Sequence, residues 1–276
     1  MSAAEAKSTT APPEVSGKVA VITGASRGLG AGLASHFAAA GLHLGLCATH
    51  RPSLVMATRP TARGGQVISA EPPLCAAVDV TDYAALDDFA HQVVERFGGI
   101  HLWINNAGVL APIGPLSAAD PSQVARNIDV NVTGVLHGSA IFARHVRRRP
   151  GTGVLINISS GAGTRPYFGW AAYCAAKAAV DQLTRVVALE EGGHGLSAYA
   201  VAPGVVDTDM QAAVRGSRAA DFPDVERFVA LAQSGDFNSP GWVADHLLAM
   251  AFGPEAARPT QVTVRIPAQP VAGCSG

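Results

Sequence analysis

Short apolar runs, each closed by a turn, alternate along this chain with stretches of helical character, and that alternation restricts the fold more than any other property. The runs are KVAVIT at 18–23, then 42–48, 74–80, HLWIN at 101–105, GVLINIS at 153–159, 196–202 and a last one at 261–266. Between them, 29–40 (ended by Gly41), 83–97, 121–148 and 171–191 read as helices. The runs are apolar throughout instead of alternating with polar residues. Such strands are buried on both faces, as parallel strands joined by helical crossovers are. The expected fold class is therefore α/β: a doubly wound parallel sheet of about seven strands flanked by helices.

Composition narrows the function classes. With 276 residues, 48% of them hydrophobic, one domain can bury a full core, and no linker or repeat divides residues 15–276. A formal net charge of −1 favours neither nucleic acid nor an anionic membrane as partner. No apolar run approaches the roughly 18 residues that span a bilayer. Residues 1–14 are small, polar and proline-containing, and read as a disordered lead without a signal peptide's apolar core, so the cytoplasm is the expected compartment. Residues 51–73, rich in Pro, Gly and Arg, give no clear helix. Cys47, Cys75, Cys174 and Cys274 form no Cys-x-x-Cys pair and have no His at zinc spacing. They read as small buried hydrophobes, and no metal site is expected.

The chemistry-bearing residues fall at the ends of the expected strands, where ligands sit in open α/β sheets. The first strand runs into Gly24-Ala25-Ser26-Arg27-Gly28-Leu29-Gly30. Glycines at a strand-to-helix turn allow a pyrophosphate to approach the backbone, and the helix start supplies N–H donors and a positive dipole end. This makes the domain Rossmann-type in expectation. The fourth strand ends in Asn105-Asn106-Ala107-Gly108. Tyr173 and Lys177 are four apart on an expected helix, hence one turn apart on one face. With four tyrosines and three lysines in the chain, any Tyr-x-x-x-Lys has a chance expectation of roughly 0.04. Ser160 closes the preceding strand, thirteen residues before Tyr173.

The glycine turn, the Asn-Asn-Ala-Gly, the Ser-to-Tyr spacing, Tyr-x-x-x-Lys and Pro203-Gly204 occur in the order that short-chain dehydrogenases/reductases show. The resemblance covers about residues 17–266. From Pro203 through Val206, Thr208, Met210 and Gln211 to Phe228, Leu231, Gly235 and Ser239-Pro240, the chain is similar to the branch of that family holding sepiapterin and benzil reductases. The resemblance implies hydride transfer between a nicotinamide cofactor and a ketone or secondary alcohol. It makes Tyr173 the proton donor or acceptor and Ser160 the donor to the carbonyl oxygen. Lys177 becomes the cation that lowers the Tyr173 pKa, and Asn131 the holder of a relay water. By the same resemblance Gly24, Ser26, Arg27, Gly28, Leu29, Gly30, Asp79, Val80, Asn106, Ala107, Gly108, Pro203, Gly204, Val206 and Thr208 join Tyr173 and Lys177 along the cofactor.

Cofactor choice is read after the second strand, where an acid would bind the ribose 2′-hydroxyl and repel a 2′-phosphate. This chain has Thr49, His50 and Arg51 there, and Arg27 in the glycine turn, so NADP is expected, with NAD as the alternative. The leading expectation is an NADP(H)-dependent carbonyl reductase. Two alternatives stand beside it: an NAD-dependent alcohol dehydrogenase, and a non-catalytic cofactor-sensing scaffold of the same fold. Residues 208–239 are too long for a simple connection and are expected to form a lid carrying Met210, Phe222, Phe228 and Leu231. Tyr167, Phe168 and Trp170 line a substrate pocket or pack in the core. An apolar or aromatic ketone or diketone is the expected small-molecule substrate. Helices 121–148 and 171–191, with small residues such as Ala175, Ala178 and Ala179, suggest pairing into a homodimer or homotetramer. Arg144, Arg147, Arg148 and Arg149 read as solvated cations at a helix C-terminus.

Overall fold

The computed structural model describes residues 15–54, 71–255 and 258–270. The expected lead at 1–14, most of the expected irregular segment and Cys274 lie outside the described residues. Seven strands form one sheet: β1 (Val19–Thr23), β2 (His43–Ala48), β3 (Leu74–Ala77), β4 (Leu102–Asn105), β5 (Gly153–Ile158), β6 (Leu196–Ala202) and β7 (Thr263–Arg265). Their spatial order is β3-β2-β1-β4-β5-β6-β7, every neighbouring pair being parallel. The order reverses between β1 and β4, so the crevice for a ligand opens above the carboxyl ends of those two strands.

Helices cover both faces. They are α1 (Gly28–Ala39), α2 (Tyr83–Phe97), α3 (Pro121–Ile128), α4 (Gly134–Arg147), α5 (Ala171–Glu191), α6 (Asp209–Arg215), α7 (Val225–Ser234) and α8 (Pro240–Phe252). On one face, Leu33, Phe37, Val243 and Leu247 of α1 and α8 pack on Ala20, Ile22, Leu44 and Ile156. On the other, Phe89, Val93 and Phe142 of α2 and α4 pack on Val21, Trp103 and Leu155. Successive residues of one strand point to opposite sides, and each side meets an apolar helix face. That is the physical reason the strands are apolar throughout.

Two local expectations are corrected. The single helix expected over 121–148 is α3, a π-helical turn at Asp129–Thr133, and α4. The wider turn carries the buried Asn131, whose side chain bonds the backbone of Val109 outside the helix. The sequence reading also passed over α8. Its sequence, PGWVADHLLAMAF, is apolar on more than one face because it is largely buried, so its periodicity is weak. Its start was legible nonetheless: Ser239 accepts from the Trp242 N–H as N-cap, and Pro240 occupies the first turn.

A buried polar chain ties the sheet to α5. The Trp103 indole N–H donates to Asn105 Oδ1 at 2.8 Å, Asn105 Nδ2 to Asn157 Oδ1 at 2.8 Å, and Asn157 Nδ2 to Thr184 Oγ1 at 2.9 Å. Each member is satisfied, so the chain rigidifies instead of destabilising the core. It fixes β4, β5 and α5 to one another, and those three elements carry the site.

Candidate active site

Gly24 and Gly28 adopt φ of +66° and +56°, in the left-handed region that glycine reaches without strain. A Cβ on Gly24 would lie 2.6 Å from Ala107 Cα, so the glycine turn and the Asn-Asn-Ala-Gly turn touch backbone to backbone. Asn106 Nδ2 donates to the carbonyls of Thr23 and Gly24 at 3.0 and 3.1 Å, and the N–H groups of Asn106 and Ala107 donate to Thr23 Oγ1. The two turns thus form one rigid floor.

Arg27 occupies the N-cap position of α1 but makes no side-chain capping bond. The first-turn N–H groups of α1 are therefore left to a ligand, and a pyrophosphate of a dinucleotide fits both their donors and the helix dipole. The cleft above this floor has a volume of about 640 Å³. It gathers the expected glycine turn, Thr49, Asp79, Val80, Asn106, Ala107, Gly108, Ser160, Tyr173, Lys177, Pro203, Gly204, Val206 and Thr208.

Three expected residues lie outside its walls. Asn131 is fully buried behind Gly108: a Cβ there would be 2.9 Å from Asn131 Oδ1 and 3.9 Å from Lys177 Nζ. Asn131 Nδ2 donates to the Val109 carbonyl at 2.7 Å and its Oδ1 accepts from the Val109 N–H at 3.1 Å. His50 and Arg51 are exposed beyond the end of β2, and His50 Nδ1 lies 3.4 Å from the hydroxyl of the wall residue Thr49. Arg27, on the wall, is the cation near that end, and its Nη1 pairs with Asp209 Oδ2 at 3.2 Å.

Sequence reasoning missed two charged wall residues. Asp209 opens α6 directly after Thr208, and Arg126 on α3 donates to Asp79 Oδ2 at 2.8 Å. Burial alone would raise the Asp79 pKa, but the Thr81 N–H and hydroxyl and the Arg126 guanidinium outweigh it and hold the carboxyl below its usual range. No sequence spacing joins residues 79 and 126; only the sheet order brings them together.

At the end of the cleft that holds the candidate catalytic residues, the π-turn, β5 and α5 converge. Tyr173 and Lys177 are both buried, with Lys177 Nζ 5.5 Å from the centroid of the Tyr173 ring. Lys177 Nζ donates to the Ile158 carbonyl at 2.8 Å. Ser160 caps the short turn after β5, its Oγ accepting from the Ala162 N–H at 3.2 Å. Against the lowering by Lys177 that the resemblance implies stands the burial of the phenol. Burial dominates and pushes the phenol up to about 12, with the Ser160 hydroxyl pulling the other way. Burial also pushes Lys177 down to about 8, against the pull of Asp181.

Of the aromatic trio, Tyr167 and Trp170 resolve toward packing. Trp170 is buried and stacks on Phe222 with ring centroids 4.7 Å apart, Tyr167 lies 4.8 Å from Trp170, and Phe168 is exposed. None of the three lines the cleft. With Phe222 and Phe228, Tyr167 and Trp170 form the apolar cluster on which α7 rests, directly behind Tyr173. The expected lid residues 208–239 hold α6, whose Asp209, Met210, Gln211 and Ala213 line the cleft mouth, and α7.

A parallel sheet with this order, a glycine turn feeding α1 and a Tyr–Lys pair at the switch point define a Rossmann-like oxidoreductase class. Residues 18–219 match the family model for short chain dehydrogenases, and the chain belongs to that family. It is 42% identical over 152 residues to the benzil reductase ((S)-benzoin forming) of Bacillus cereus, covering 54% of this chain and 61% of that protein. To the corresponding benzil reductase of Bacillus subtilis (strain 168) it is 37% identical over 158 residues, or 56% and 65% of the two chains. It thus spans less than two thirds of the length of these relatives. The KRED1-Pglu enzyme has a similar fold, with a TM-score of 0.73 and 30% identity over 87% of this chain and 99% of that one. The family and the benzil reductase-like branch inferred from the motifs are those the relatives show.

Proposed function

We propose that this protein is an NADP(H)-dependent carbonyl reductase acting on apolar or aromatic ketones or diketones. The observation that carries the reading is the convergence of Ser160, Tyr173 and Lys177 on one cleft that ends at a ligand-ready glycine turn. The nicotinamide cofactor, when bound, supplies or accepts the hydride. The chain's own residues then handle the proton and the developing charge. A phenol held near 12 keeps its proton across the physiological range and can donate it to the carbonyl oxygen. Ser160 offers its hydroxyl to the same oxygen, and Lys177 provides positive charge beside both. Asn131, clamped by Val109 behind Lys177, holds the relay that restores the proton.

The reading of NADP rests on Arg27 at the cleft wall and on the lack of an acid at Thr49, His50 and Arg51. Arg27 and Asp209 are exposed by 77% and 75%, so their pair contributes at most about 1 kcal/mol and yields readily to a 2′-phosphate. Apolar Leu110, Ile113 and Met210 on the wall favour an apolar substrate, and these take the place of the aromatic trio in that argument. The relatives named as benzil reductases point to the same substrate class.

Initial rates with NADPH and NADH on benzil-like diketones and on sugar ketones test the proposal, with oxidised cofactors on alcohols as the reverse arm. NADPH with a diketone is expected to be the best pair. A higher kcat/KM for a sugar ketone would overturn the substrate class, and turnover with no substrate would favour a cofactor-sensing scaffold. Arg27→Ala should weaken NADPH binding roughly tenfold and NADH binding far less, since it removes one charge-assisted contact. An equal effect on both cofactors would show that the 2′-phosphate is held elsewhere.

A homodimer or homotetramer is part of the proposal. The outer faces of α4 and α5 expose Leu136 by 44% and Leu189 by 84%, beside Val186 and the exposed Ala175 and Ala178. Light scattering at micromolar concentration should give a mass of at least two chains, and a monomer would refute pairing through these faces.

A further inference from the structure

Asp181 is a buried carboxylate for which the proposed reaction has so far no use. It lies on α5 one turn beyond Lys177 and is only 3% exposed. Its Oδ1 accepts from Ser159 Oγ at 2.5 Å. Its Oδ2 faces Gly163, where a Cβ would lie 2.6 Å away, so the carboxylate is packed into the turn that follows Ser160. Among the described residues it forms no direct ion pair. A carboxylate buried with one hydroxyl partner is costly unless a nearby positive charge compensates it.

The elements packed around α5 narrow that charge to Lys177. The titratable or charged groups they carry are Arg126 of α3, Asp129 of the π-turn, His137, Arg144, His145 and Arg147 of α4, Tyr199 of β6, His194 in the turn after α5 and Arg265 of β7. On α5 itself Tyr173 and Cys174 are near, and Arg185 stands one turn beyond Asp181 but is exposed and bonds Gln182 and Thr263. Lys177 is the buried cation, and the Asp181 charge raises its proton affinity against burial.

We propose that Asp181 is a positioning residue of the proton-transfer site: its carboxylate keeps the Tyr173–Lys177 pair loaded with its protons and, through Ser159, seats the turn that presents Ser160. The inference rests on the reading of Tyr173 and Lys177 as the proton-transfer pair. Its sign does not depend on which of the two loses a proton first. Either deprotonation makes the pair more negative, and a neighbouring carboxylate opposes that. Removing the carboxylate's charge lowers the pair's apparent pKa in both cases.

Ketone reduction needs the pair fully protonated, so its rate falls on the alkaline side as the pair titrates. In Asp181→Asn that fall should move to lower pH by about half a unit or more. In Ser159→Ala the carboxylate is retained, so the fall should stay near the parent's position even where kcat drops at every pH. An Asp181→Asn profile with the parent's alkaline fall, or a uniform loss at all pH values, would overturn the charge role. So would a Ser159→Ala shift as large as that of Asp181→Asn. Should Asp181→Asn not fold, the double variant Asp181→Asn, Lys177→Gln decides: it should fold because neither charge is left alone, and its failure would count against the pairing. A Tyr173→Phe variant with a normal rate would sink the underlying reading instead. An inactive Tyr173→Phe with an unmoved Asp181→Asn profile sinks this inference alone.

Discussion

Tyr173→Phe is expected to leave the fold and dinucleotide binding intact and to lower turnover by about 10²- to 10⁴-fold, the usual contribution of a positioned proton donor. The ring itself belongs to the apolar cluster of Trp170, Phe222 and Phe228, and phenylalanine preserves that packing. Only the hydroxyl is lost. It keeps its proton at neutral pH and shares the cleft with Ser160 and Lys177. Cofactor titration by fluorescence, thermal melting and steady-state kinetics on one preparation separate the effects. A near-normal kcat would remove Tyr173 from the chemistry and with it the mechanism proposed above.

Gly30→Ala should produce the other large effect, on binding and stability together. A Cβ on Gly30 would come 2.5 Å from Asn106 Nδ2 and would also collide with the Gly24 carbonyl oxygen. Those two groups are hydrogen-bonded to each other at 3.1 Å, and the bond joins the two turns that floor the cleft. A methyl group driven between them must displace backbone, not a flexible side-chain end. Overpacking of this kind costs about 1–3 kcal/mol. The displaced first turn of α1 should weaken dinucleotide binding about tenfold or more, since tenfold needs only about 1.4 kcal/mol. Gly192→Ala is the matched control: nothing lies within 4 Å of its added Cβ, and its φ of −57° suits any residue. It should stay within about 0.5 kcal/mol of the parent. Equal melting temperatures and cofactor affinities for the two variants would refute the close-approach argument.

By itself the sequence determined the parallel α/β sheet, because uniformly apolar strands have no other economical burial. It also singled out the proposed chemistry-bearing set, because those residues are recognised through local spacing. The glycines lie within one turn, and Tyr173 and Lys177 lie one helical turn apart. Ser160 stands at a strand end whose position follows from the apolar run before it. Tertiary structure alone decided what depends on groups distant in sequence. The Arg27–Asp209 pair spans 182 residues and the Arg126–Asp79 pair 47, so no periodicity reports them. The π-turn that seats Asn131 answers to the Val109 backbone, not to any signal in its own segment. Tyr167 and Trp170 pack because Phe222 and Phe228, more than fifty residues on, meet them. The proton affinities of Tyr173 and Lys177 depend on distant packing in the same way. Charge proximity along a helix can be read from spacing, but the loss of water that pushes the phenol up and the ammonium down is a property of everything packed around the pair.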